Sequence, residues 1–142
     1  MVAAKTSVGK RSLHLRLIAF GFKYGAPRDA DVIFDARSLP NPFYVDALRP
    51  LTGADAPVEA YLDGLPECAL WLQRAGGELE DLIAKLSADR VPALTVAIGC
   101  TGGRHRSVYL ASKLATRFGE RGDVEIALEP RDVQRAVDGE PT

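Results

Sequence analysis

The sequence predicts a single α/β domain on a mainly parallel sheet of about four strands, flanked by helices. Three observations lead there. Short apolar runs and stretches of helical periodicity follow one another in the order strand, strand, helices, strand, helix, strand. The run ALTVAIGC (93–100) is apolar almost throughout, as suits a central strand covered on both faces. The chain has 142 residues and 46% hydrophobic content, which fits one globular domain with a real core.

The elements are justified in chain order. MVAAKTSVGKRS (1–12) is charged and lacks the apolar stretch of a secretory signal, so it reads as a flexible lead-in to a domain over 13–131. LHLRLIAFGF (13–22) is a strand, and KYGAPRDA (23–30) turns at Gly25 and Pro27. DVIFDAR (31–37) is a second strand. The prolines of SLPNPF then exclude a regular helix and fix an extended loop.

Val58, Tyr61, Leu62 and Leu65 recur at helical spacing. Pro66 either breaks that run or opens a new helix at its first turn. Cys68, Ala69, Leu72 and Ala75 extend an apolar stripe, with Cys68 as a small core residue. Gly76-Gly77 is expected to break the helix again before Leu79, Leu82, Ile83 and Leu86. After the strand at 93–100, SVYLASKLATRFGERG (107–122) is a helix with Ala111, Leu114, Ala115 and Phe118 on one face. DVEIALEP (123–130) is the last strand, and the polar tail 132–142 is expected to fray.

Composition excludes several function classes. With a net charge of −1, the total charge advertises neither nucleic acid nor an anionic membrane. No apolar run approaches the roughly 18–20 residues of a membrane-spanning helix. The two cysteines, Cys68 and Cys100, have no metal-ligand spacing and suggest neither zinc nor a disulfide scaffold. The expectation is a cytoplasmic protein with no metal and no cofactor.

The chemistry concentrates in AIGCTGGRHRS (97–107). A strand ending at Cys100 and a helix starting near 107 present backbone N–H groups at a helix N-terminus, where an anion belongs. Gly102 and Gly103 let the backbone curl and approach a ligand. Arg106 offers a planar fork for two oxygens. Thr101 and Ser107 supply hydroxyls, and Ser107 also suits the N-cap. His105 either donates to a phosphate or points to solvent from the helix start. The same letters spell C-x5-R, the loop of cysteine-dependent phosphatases. In that alternative Cys100 is the nucleophile, Arg106 holds the equatorial oxygens and Asp35 is the general acid. A bare turn joining strand to helix is the plain reading.

Three stretches taken together are more specific. AFGFKYGAPRDADVIFDARSLPNPF (19–43), LRPLTGADAPV (48–58) and AIGCTGGRHRSVYLASKLA (97–115) resemble the C-terminal domain of the RapZ (YvcJ) family of RNase adapter proteins. The resemblance implies a phosphofructokinase-like sugar-phosphate binder, here free-standing, because VGKRS (8–12) lacks the glycine-rich loop of a nucleotide-binding P-loop. It implies a non-catalytic, regulatory role: sensing an amino-sugar phosphate such as glucosamine-6-phosphate, with RNA or an endoribonuclease as partner in some members, and a homo-oligomeric state. Carried over by motif, Lys23, Thr101, Gly102 and Arg106 would hold the phosphate, and Asp35, Arg37 and Asn41 would line the sugar side.

On the residues alone, Lys23 also reads as a surface lysine and Asn41 as a turn residue. Asp35 and Arg37 equally read as a ligand-free salt bridge. Two features depart from the family pattern. Phe43 stands where some members have histidine, and the tail bears Asp138 and Glu140 where RNA-binding members are basic.

Overall fold

Alternating burial along the strands writes the two faces of the sheet, and these faces decide where everything else packs. A computed structural model describes residues 12–135 and 142. The expected lead-in and most of the expected tail lie outside the described residues. The elements are β1 (Leu13–Gly21), a 3-10 turn (Phe22–Tyr24), β2 (Val32–Asp35) and a second 3-10 turn (Pro42–Tyr44). They continue with α1 (Ala56–Asp63), α2 (Pro66–Ala88), β3 (Ala93–Cys100), α3 (Arg106–Gly119) and β4 (Val124–Pro130). The four strands form one all-parallel sheet in the order β2-β3-β1-β4.

The handedness of parallel crossovers then fixes the layers. From β2 to β3 and from β3 to β4 the chain steps in one direction across the sheet, so α1, α2 and α3 belong on one face. From β1 to β2 it steps the other way, so residues 22–31 belong on the opposite face. Packing agrees. Leu13, Leu15, Leu17 and Ala19 of β1, with Leu94, Val96 and Ile98 of β3, join Val58, Leu62, Ile83, Leu114 and Phe118 of the helices in the main core. On the other face Ile18, Phe20 and Ala97 are covered by Phe22 and Ala30. The predicted α/β fold is the observed one, with β3 in the sheet interior and its carboxyl-terminal half buried on both sides.

Three local expectations need correction. Pro66 opens α2 at its first turn, but Gly76-Gly77 does not interrupt it, and the helix runs unbroken to Ala88. A Cβ at Gly76 would meet only the Arg117 guanidinium of α3, the flexible end of an exposed side chain that can swing aside, so the contact does not require glycine there. Its propensity cost, about 1 kcal/mol against alanine, is offset by burying Cys68, Ala75, Leu79 and Ile83 along the same face. Ser107 is not the cap of α3. His105 occupies that position without a side-chain cap bond, and Ser107 lies inside the helix. Finally, the chain does not fray directly after Arg131, for Asp132 is fully buried and Thr142 is 2% exposed.

Candidate functional site

β1 and β3 are neighbours, yet their onward connections leave in opposite directions, toward β2 and toward β4. In an open parallel sheet that divergence leaves a crevice beyond the carboxyl ends of the two strands, the usual ligand position. Here the ends are Gly21 and Cys100, partners in register. All strands being parallel, the loops after β1, β2 and β3 converge on this crevice. The Lys23 amide donates to the Thr101 carbonyl at 3.1 Å. The Gly53 amide donates to the Arg104 carbonyl at 2.9 Å.

The glycines of FGFKYG and CTGG meet back to back. A Cβ at Gly21 would overlap the Gly102 carbonyl, and one at Gly103 would lie 2.6 Å from the Gly21 nitrogen. Gly103 also has φ of 79°, a conformation that side chains disfavour. The loop is thus seated directly on the end of β1. Beneath it, the buried Asp132 accepts the Gly21 amide at 2.8 Å and is itself gripped by Arg131.

Two arginines of the loop turn inward. Arg106 is 3% exposed. Its Nη1 donates to the carbonyls of Leu39, at 2.8 Å, and Arg37, at 3.0 Å, and its Nη2 to Thr101 Oγ1 at 3.3 Å. Its Nε is buried with no hydrogen-bond partner. Arg104 donates to the carbonyls of Leu51, Val133 and Pro50. Among the described residues neither guanidinium forms an ion pair. Burial pulls the Arg106 pKa below its ordinary value, and neighbouring Cys100 and Asp35 partly oppose that shift. The buried cation is matched by carbonyls, the Thr101 hydroxyl and the neighbouring Cys100 and Asp35 side chains, none of which is an ion-pair partner among the described residues.

His105 is fully buried, so it does not point to solvent. Its Nε2 lies 3.1 Å from the Leu48 carbonyl and its Nδ1 2.5 Å from Thr142 Oγ1. Burial lowers its pKa, and Arg104 adds to the effect while backbone carbonyl contacts oppose it. The Cys100 thiol is also fully buried, 3.2 Å from both Ser107 Oγ and the Thr142 main-chain oxygen. The Gly102 amide donates to that same Thr142 oxygen at 2.8 Å. The innermost part of the loop therefore already holds one polar residue of the chain.

The remaining sequence candidates lie around the rim. Lys23 is exposed, with its ammonium 5.4 Å from the centre of the Tyr24 ring. Asp35 and Arg37 form a two-pronged ion pair, at 2.8 Å for Nη2 to Oδ2, while the Arg37 guanidinium stacks 3.9 Å over the Phe22 ring. The hydrogen bonds from Arg37 hold the Asp35 carboxyl below the usual carboxylate range. Asn41 accepts from the Phe43 amide at 3.1 Å and starts the second 3-10 turn, the plain turn role. Sequence reasoning missed Thr142, Asp132 and the Leu48–Gly53 segment that closes over His105. The stretch LRPLTGADAPV (48–58) pointed to the last only through the family resemblance, with no role given to its residues.

Among the described residues no group of three or more His, Cys, Asp or Glu is placed to hold a metal ion. No helix among them is long and apolar enough to cross a membrane. A cavity of about 530 Å³ opens at the other end of the sheet, beside His14 and Arg90, remote from the loop.

Comparison with known proteins agrees with the motifs. The chain is 43% identical over 129 residues to a nucleotide-binding protein of Corynebacterium efficiens, covering 91% of this chain and 41% of that protein. It is 52% identical over 127 residues to a nucleotide-binding protein of Alkalilimnicola ehrlichii, covering 87% and 42%. It is 45% identical over 143 residues to one of Azoarcus sp., covering 95% and 46%. The chain thus spans less than half the length of these curated relatives. The names of those relatives say that they bind nucleotides. The family model described as the RapZ C-terminal domain matches residues 13–134, and the chain belongs to that family.

Proposed function

We propose that this domain is a regulatory binding module whose 101–107 loop takes the anionic group of a phosphorylated small molecule. One observation supports this above the others. Arg106 is buried at the N-terminus of α3, at the divergence of β1 and β3, and among the described residues its Nε has no hydrogen-bond partner and its guanidinium no ion-pair carboxylate. A helix N-terminus and an unmatched guanidinium both favour an oxyanion. Thr101 borders the same spot through its contact with Arg106 Nη2, and on this reading the loop amides and Lys23 would add donors to the ligand. Asp35, Arg37 and Asn41 edge the side on which the rest of the ligand would lie. An amino-sugar phosphate is the first candidate by family, and nucleotides follow from the names of the relatives.

Calorimetry with sugar phosphates, including glucosamine-6-phosphate, and with nucleotides tests this reading. Micromolar to millimolar binding of at least one member, lost in Arg106→Ala, is the expected result. No binding by any member, or equal binding by the variant, refutes it.

The alternatives draw less support. Asp35 is held ionised by Arg37, the wrong state for the general acid of a phosphatase, and Cys100 is out of reach of solvent. For an RNA-adapter role, Arg104 and Arg106 are committed to main-chain carbonyls inside the fold rather than offered to a phosphate backbone. A gel shift across a salt series separates an RNA partner from a small-molecule ligand.

A further inference from the structure

Four other arginines of the molecule show how a guanidinium is filled here. Arg16, Arg37, Arg121 and Arg131 each turn the edge that carries Nε and Nη2 onto a carboxylate, of Glu129, Asp35, Asp123 and Asp132 in turn. Arg106 presents the same edge to no carboxylate among the described residues. Among them its Nε has no partner, and its Nη2 reaches only Thr101 Oγ1, at 3.3 Å. That open edge is the one that takes two oxyanion oxygens side by side. Nη1 has a different task. It donates to the Leu39 and Arg37 carbonyls, and so sets which way the open edge faces.

Those two carbonyls belong to a segment, 35–39, that is fastened at further points. The Ala36 amide donates to the Gly99 carbonyl at 2.7 Å, and the Leu39 amide to the Ala36 carbonyl at 3.2 Å. The Asp35 carbonyl accepts the indole N–H of Trp71 in α2, at 3.1 Å. The Trp71 ring also meets Phe34 edge-on, with centroids 5.8 Å apart. Phe34, Leu39 and Trp71 line a groove of about 370 Å³ beside α2 and β2.

We propose that Trp71 is a positioning residue for the anion site, acting on Arg106 through the 35–39 segment. The inference rests on the anion-binding reading of the loop. Release of the segment takes both carbonyl acceptors from Nη1, and the guanidinium then no longer holds its open edge toward the ligand. An oxyanion therefore binds the fastened segment better than the released one, and by linkage its binding fastens the segment. Whatever frees the segment weakens the apparent affinity in proportion to the fraction released. Occupancy at the start of α3 is thereby felt at the groove.

The test uses the full chain with inorganic phosphate as probe. Calorimetry compares the parent with Trp71→Phe, which keeps a ring and loses the N–H, and with Leu70→Ala, which alters the groove but removes no hydrogen bond. Hydrogen exchange follows the Ala36 and Leu39 amides of the parent. The expected result is an affinity about two- to fivefold weaker in Trp71→Phe and unchanged in Leu70→Ala. Phosphate should slow exchange at Ala36 and Leu39 more than at the amides of β4. Equal affinity in Trp71→Phe overturns the proposal even if its Tm falls, since Trp71 is then structural only. An equal weakening in Leu70→Ala overturns it as well. Should Trp71→Phe fail to fold, exchange decides: slowing at Ala36 and Leu39 no greater than in β4 refutes the linkage and leaves the anion site intact. No phosphate binding by the parent refutes the anion site itself, and the linkage with it.

Discussion

Replacing Arg106 with alanine isolates the residue on which the site depends. The variant loses the bonds from Nη1 to the Leu39 carbonyl, at 2.8 Å, and to the Arg37 carbonyl, at 3.0 Å. Bonds with a charged donor contribute about 1.5–3 kcal/mol each, so these two together are worth about 3–6 kcal/mol. The 3.3 Å contact with Thr101 is too long to add much. Against this, the variant no longer buries a charge with one unpartnered nitrogen, a relief of about 1–3 kcal/mol. Taken at mid-range, about 4.5 against about 2 kcal/mol, the net expectation is a loss of about 2.5 kcal/mol. In a domain of this size, 1 kcal/mol moves Tm by about 3–4 °C, so Tm should fall by roughly 8–10 °C in chloride buffer.

The same experiment repeated in phosphate separates structure from binding. The parent should gain Tm as phosphate is raised, reaching about 2.7 kcal/mol of added stability at a hundred times Kd. The variant should gain none. Scanning calorimetry reads both quantities. A variant whose Tm stays within 2 °C of the parent, or which responds to phosphate as the parent does, refutes the reasoning.

Other expectations follow from single contacts. Gly76→Ala should leave stability unchanged or raise it by up to about 1 kcal/mol in urea titrations, because alanine favours the helix and the new methyl meets only the Arg117 guanidinium, the flexible end of an exposed side chain that can turn aside. Gly103→Ala should cost more than 1 kcal/mol, since it combines φ of 79° with a close contact to Gly21, and chemical denaturation would show it. His105 has a folded pKa lowered from 6.5 by burial, so the unfolded chain binds its proton first. Stability is fully present above about pH 6.5 and falls as pH drops toward the folded value, by up to about 1.4 kcal/mol per pH unit. His105→Gln should flatten that part of the stability profile between pH 7.5 and 5. Burial pushes the Cys68 thiol up to about 11, so at pH 8 it should resist alkylation in the native protein and react only after denaturation.

How far the sequence reaches can be judged residue by residue. β3 is legible to its ends because an apolar run stops at Pro92 on one side and at the polar Thr101 on the other. α3 is nearly as clear, for Ala111, Leu114 and Phe118 repeat on one face and all are buried. The break expected at Gly76-Gly77 fails because α2 buries Cys68, Ala75, Leu79 and Ile83 on both sides of the pair, and that tertiary burial outweighs the poor local propensity. Ser107 looks like a cap because serine caps well, yet the chain enters α3 two residues earlier, where the Leu48–Gly53 segment packs over His105. The anion-ready loop is readable from CTGG and Arg106. Its rim is less so, because whether Asp35 faces a ligand or Arg37 depends on a side-chain contact that the spacing permits but does not impose. The burial of Asp132 and Thr142 is not readable at all, since their partners come from Gly21 of β1, Cys100 of β3 and the 101–105 loop.

The most direct measurement is a crystal structure of the full chain soaked in inorganic phosphate. The account predicts tetrahedral density at the start of α3, within hydrogen-bond distance of Arg106 Nε. Phosphate found only elsewhere, with Arg106 Nε still unpartnered at saturating concentration, would contradict it.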